Sequence, residues 1–225
     1  MRRFMVLPLT GMLLLAAAAP VAAGPNVHNV SGSGEAIYAE WYGEGVFGYA
    51  NLGEEDGFGG FGDIYQESGE WVLCSPAGDP APGEPEQVGP QPADTGPGEE
   101  YYGFVGTRTY GWTNDVTIEL TRRLEQGTAT GTIELYTESV DDCAGTYVDL
   151  GVAIVALRVD ASAAGPLANF RGTGSYTIPS EFNGHNSYRG KERFATGTVS
   201  AGSVLDTVFE WGYMTQVTWM EHANG

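Results

Sequence analysis

The chain reads as an all-β protein: an antiparallel β-sandwich or jelly-roll-like single domain of about ten strands, carrying one long Pro/Gly/acid-rich loop. Three observations predict this. Short runs rich in threonine, β-branched and aromatic residues recur along the chain, separated by turn signals, and 34 glycines punctuate them. No long segment shows the i, i+3, i+4, i+7 apolar spacing of a helix. One interval, 75–100, breaks the pattern entirely.

The first expected strands are GEAIYAEWY (to Tyr42), GVFGYANL (to Leu52), DIYQES (to Ser68) and EWVLC (to Cys74). Ser75 to Glu100 follows, with seven of the twelve prolines interleaved with glycine and acids, which predicts a disordered, solvated insertion. Strands resume at YYGFVGTRTYGW (to Trp112) and pass into DVTIELTRRLEQGTATGTIELYT, Asp115 to Thr137. Next come TYVDLGVAIVALRVDA (to Ala161), NFRGTGSYTIP (to Pro179), ERFATGTVS (to Ser200) and SVLDTVFEWGYMTQVTWME (to Glu221). Leu150 to Val159 is almost continuously apolar and reads as a strand buried on both faces, while DASAAGPLAN has room for one helical turn. Trp41 and Trp71 are expected in the core, and Trp112, beside a turn, on the surface.

The N-terminus pairs Arg2 and Arg3 with an apolar run to Ala19 and the small residues Val21-Ala22-Ala23, the pattern of a cleaved signal peptide over 1–23. Pro8 and Gly11 interrupt the run, which falls short of the roughly 20 apolar residues of a spanning helix. The expected mature protein is therefore 24–225, one secreted extracellular β domain without a membrane span. An outer-membrane barrel is disfavoured because outward strand positions carry Thr and Glu. The net charge of −19, with a single lysine, repels nucleic acid and anionic lipid. Two cysteines without C-x-x-C spacing, Cys74 and Cys143, read as one structural disulfide in an oxidising compartment. In the chain-entropy picture a loop of that length stabilises by about 4 kcal/mol.

Candidate chemistry is sparse. T-I-E-L occurs twice, and a tight turn at Gln126-Gly127 would set Glu119 directly against Glu134. Carboxyl groups about 5–5.5 Å apart are what a retaining glycosidase needs, so the pair is the catalytic candidate; the plainer reading is a solvated strand face. The segment SEFNGHNSYRGKE, with Arg193 just beyond it, gathers Arg189, Lys191 and Arg193, three of the ten Lys and Arg, and His185, Tyr188 and Arg189 there, with Trp112, are candidate ligand-binding residues. The plainer reading is a polar hairpin loop. Glu54, Asp56, Asp141 and Asp142 sit in acidic turns that could hold Ca²⁺, although neither turn fits the twelve-residue calcium loop. No zinc pattern, G-x-S-x-G or phosphate-binding loop is present, and no other cofactor is implied. The leading expectation is a secreted, non-enzymatic protein that binds an extracellular glycan or cell-surface ligand. The alternatives are a small polysaccharide hydrolase and a Ca²⁺-stabilised surface protein.

Overall fold

The computed structural model describes residues 28–74, 101–178 and 182–224. The segment expected to be a signal peptide, 1–23, and the expected disordered insertion, 75–100, lie outside them. Every described element is a strand: β1 (His28–Gly43), β2 (Val46–Glu55), β3 (Gly59–Cys74), β4 (Tyr101–Thr113), β5 (Val116–Leu120), β6 (Gln126–Asp141), β7 (Thr146–Ile178), β8 (Phe182–Ala201), β9 (Leu205–Phe209) and β10 (Trp211–Asn224). All pairings are antiparallel, and the ladder runs β10-β1-β2-β3-β4-β6-β7-β8 before β8 meets β10 again. The all-β, ten-strand antiparallel fold expected from the sequence is the fold observed.

Two breaks turn this ring into two facing layers. At Asn114-Asp115 the chain leaves β4, and β5 pairs with the first part of β6 while packing against β1, β2 and β3. At Glu210 it leaves β9, which pairs with the last part of β8 and packs on β1. Strands β5-β6-β7-β8-β9 thus cover β10-β1-β2-β3, as in a sandwich whose edges are continuous. Close approach of β5 requires glycine at Gly60, where a Cβ would stand 1.6 Å from the Val116 carbonyl oxygen.

Strand alternation explains what fills the gap. Ile37, Ala39 and Trp41 of β1, Leu52 of β2, Ile64 of β3, Ile118 of β5, Ile133 and Leu135 of β6, Val159 of β7, Phe209 of β9 and Met214 of β10 all point inward and are buried. The opposite face carries Glu40, Asp63, Glu67, Arg108, Glu134 and Arg158, a charge distribution unlike a lipid-facing band.

Three sequence expectations need correction. The run Leu150–Val159 is not buried throughout: β8 meets β7 only from Leu157 onward, so Thr146–Ala156 pairs with β6 alone among the described residues. Ile154, ladder partner of the outward Glu134, is 76% exposed, whereas Leu157 and Val159 point inward and are buried. The DASAAGPLAN segment stays extended, absorbing its irregularity as a register shift between Ala163 and Leu167. Trp71 is 61% exposed, because it lies on the outer face, tilted against Phe104; Trp41 is buried and Trp112 is 57% exposed, as expected.

Cys74 and Cys143 form the expected disulfide, with a Cα–Cα distance of 5.2 Å. It ties the end of β3 to the β6–β7 turn. Cys74 is also the ladder partner of Tyr101, so the chain on either side of 75–100 leaves and rejoins the sheet at adjacent points.

Candidate functional site

The doubled T-I-E-L does not form an acid pair. Strand β5 pairs with β6 as Val116↔Gly131 through Leu120↔Gly127, so Glu119 faces Thr128. Glu134 lies between Trp112 of β4 and Ile154 of β7. The turn is Thr121–Glu125 rather than Gln126-Gly127, and its cause is Leu124. That side chain is fully buried, reached through a backbone with φ of 52°. Thr121 Oγ1 accepts hydrogen bonds from the Glu125 and Gln126 amides. Strand β8 then clamps the turn: Lys191 Nζ donates to the Arg122 carbonyl at 2.7 Å, and Arg193 Nη1 to the Arg123 carbonyl at 3.2 Å. A buried leucine and two basic anchors outweigh the tight turn suggested by Gln-Gly.

The same contacts account for the basic segment around His185. It is strand β8, not a loop, and two of its cations serve the β5–β6 turn. His185 sits opposite Ser175 and His222, with its Nδ1 3.1 Å from Ser175 Oγ. Tyr188 lies over Gly172 and tilts against Phe170, and Arg189 Nε donates to Thr218 Oγ1 at 3.3 Å. The acidic turns also have internal work. Glu54 accepts from the Ile118 amide at 2.6 Å, and Asp56 from the Ser33 amide at 3.0 Å. Asp141 accepts from the Ala144 amide at 2.9 Å, and Asp142 from the Phe104 amide and the Tyr147 hydroxyl. Among the described residues, no three His, Cys, Asp or Glu side chains cluster as a metal site would require.

What the fold does assemble is a row of aromatic rings on its outer face. Tyr49 of β2, Tyr65 of β3, Tyr110 of β4 and Tyr136 of β6 are direct ladder partners, one per strand. Phe194 of β8, Tyr213 of β10 and Tyr38 of β1 continue the row on the other side. Ring centroids are 5.2 Å apart for Tyr38–Tyr213, 5.7 Å for Tyr49–Tyr65 and 5.8 Å for Tyr110–Tyr136, all nearly parallel. Trp112 ends one flank, stacked on Tyr136 at 5.3 Å; Trp211 stands edge-on at the other, 5.6 Å from Tyr38. Such offset pairs each add about 0.5–1.5 kcal/mol beyond their buried area.

Carboxylates are threaded through the rings. Tyr38 and Tyr42 both donate to Glu40, Tyr65 to Glu67, and Tyr136 to Glu134 at 2.9 Å. Asp63 accepts from Asn51 at 3.3 Å and from Tyr49. Arg108 binds Glu67 at 3.0 Å and Glu138 at 3.6 Å. Burial pushes Glu40 and Asp63 above the usual carboxylate range. Burial together with the bond to Glu67 raises the Tyr65 phenol to about 12, and the bond to Glu134 raises that of Tyr136. The face consequently offers hydrogen-bond acceptors and aromatic edges, suited to a partner rich in donors.

Two residues singled out in the sequence, Trp112 and Glu134, come together here; Glu119, His185 and Arg189 do not join them. The tyrosines were missed, although a signal existed. Tyr38-x-Glu40, Tyr65-x-Glu67 and Glu134-x-Tyr136 each place a phenol and a carboxylate two residues apart, hence on one face of a strand. No family model, no curated protein and no solved structure matches this chain.

Proposed function

We propose that this is a secreted, non-enzymatic binding protein that works outside the cell and engages an extracellular glycan through its outer tyrosine–carboxylate face. One observation carries the reading: rings on adjacent strands stand in register, with Tyr38, Tyr49, Tyr65 and Tyr136 each bonded to a carboxylate and the exposed Trp112 and Glu134 at one end. Stacked tyrosines present their edges and hydroxyls, so the ring face offered to a sugar is that of Trp112. Carboxylate oxygens beside it accept from sugar hydroxyls. Nothing in this arrangement requires a nucleophile or a metal.

The test is retention of the purified protein on insoluble cellulose and chitin, and retardation in gels containing soluble xylan. Wild type is retained by at least one, while Trp112→Ala and Glu134→Gln weaken retention about tenfold, the scale of losing one aromatic anchor or one charged acceptor. Release of reducing ends that Glu134→Gln abolishes would replace this reading with the hydrolase. N-terminal sequencing of protein from culture medium tests export, with cleavage after Ala23 expected.

A further inference from the structure

The outer face opens at one place. Strands β9 and β10 are one run broken at Glu210: Phe209 still pairs with Gly197 of β8, whereas Trp211 pairs with Glu40 of β1. Strand β1 continues to Gly43, and beyond Glu40 its only ladder partner among the described residues is β2. The parting leaves a cleft of about 330 Å³ lined by Glu40, Tyr42, Val208, Glu210 and Trp211. That volume lies at the small end of ligand sites.

Its lining is specific in two respects. The walls are apolar and aromatic: Tyr42 is 68% exposed, Val208 is exposed, and Trp211 stands at right angles to Tyr38 and Tyr213 instead of stacking on them. Two carboxylates share the cleft, and no Lys or Arg forms a salt bridge with either among the described residues. Both Glu40 oxygens accept phenolic hydroxyls, which hold the carboxylate in place beside Trp211 and leave it acceptor capacity. The site thus pairs negative charge with π-faces and supplies no counter-charge of its own. A hard metal ion is a poor occupant, since Ca²⁺ takes six to eight oxygen ligands and Mg²⁺ keeps octahedral geometry, and two carboxylates do not build either shell. A weakly hydrated organic cation is a good one. Its alkyl groups meet Trp211, Tyr42 and Val208, and its charge meets the ring quadrupoles and both carboxylates.

We propose that this cleft is a binding site for an alkylammonium group, held between Trp211 and Tyr42 and neutralised by Glu40 and Glu210. The proposal goes beyond the glycan reading and does not depend on it, because the cleft lies at the Trp211 end of the row and Trp112 at the other. The experiment titrates choline into the purified protein, following indole fluorescence and the Trp211 indole N–H resonance, with dimethylbutanol, its neutral carbon isostere, in parallel. Choline saturates the signal, and the isostere binds about tenfold more weakly, the difference a desolvated cation–π and carboxylate contact supplies. Glu210→Gln, at an exposed position, and Glu40→Gln, whose amide oxygen still accepts from one tyrosine while its NH2 donates to the hydroxyl oxygen of the other, each weaken choline several-fold without lowering the melting temperature. Trp112→Ala leaves choline binding unchanged whether or not it abolishes glycan retention. Equal binding of choline and its isostere, indifference to both glutamine variants, or no saturable choline signal would each overturn the proposal.

Discussion

Thr117–Leu120 and Thr132–Leu135 are the same four residues, T-I-E-L, in two places, and the fold treats them alike in one respect only. In both, the isoleucine is buried and the glutamate exposed, as strand alternation dictates. Across the ladder they diverge. Glu119 looks at Thr128, while Glu134 sits between Trp112 and Ile154 and receives the Tyr136 hydroxyl. Local pattern decides which side of a sheet a residue faces; the length of the intervening turn decides whom it meets there.

That comparison can be broken at its cause. Leu124→Ala removes the buried side chain that sets the turn and should cost about 3 kcal/mol, read from the urea midpoint. Leu124→Gly should cost no more than the alanine variant, against the usual order, because glycine tolerates the left-handed backbone with φ of 52°.

The next effect is functional: Glu134→Gln should lose glycan retention about tenfold, and Glu119→Gln, with no ring beside it, should lose none. Carboxylates that the rings bury give a third contrast, in pH. Burial raises Glu40 and Asp63 from ordinary values of 4.5 and 3.8, so the folded protein holds their protons more tightly than the unfolded chain. Their contribution to stability is fully present below those ordinary values and is lost as pH rises through the folded ones. Melting temperature should therefore climb as pH falls from neutrality toward the acid range, less steeply in Asp63→Asn. Relief of the −19 charge acts in the same direction, and it and Glu40 together account for what remains in the variant.

Smaller still, near-ultraviolet titration of the phenols should show one tyrosine ionising at lower pH in Glu134→Gln than in wild type, since Glu134 raises Tyr136. The change should be absent in Glu119→Gln, whose stability should stay within about 0.5 kcal/mol of wild type, as expected for an exposed strand position.

The fold class was legible because alternation, turn residues and the want of helical periodicity all act locally. The disulfide was legible from counting. The β5–β6 register was not: the position of the turn depended on Leu124 finding space between two layers and on Lys191 and Arg193 reaching it from β8, none of which is adjacent in sequence. Leu150–Ile154 misled for a related reason. An apolar run reports affinity for burial, but strand alternation turns Val152 and Ile154 to the outer face, and β8 ends before it can pair with that part of β7. At the candidate site, Trp112 and Glu134 were visible singly as an exposed ring and an acid. Their union depended on the β4–β6 register, and the tyrosine row behind them on four more, β8–β10, β10–β1, β2–β3 and β3–β4.

The adjacency of Cys74 and Tyr101 bears on how much this chain can vary. For the sheet, 26 residues between two ladder partners are a hairpin connection whose ends are already fixed. Doubling such a connection costs only about 0.6 kcal/mol in closure entropy, and shortening it returns as little. The position is therefore a natural splice port, where a reporter or a second module with neighbouring termini could be carried without rewriting a single strand pairing.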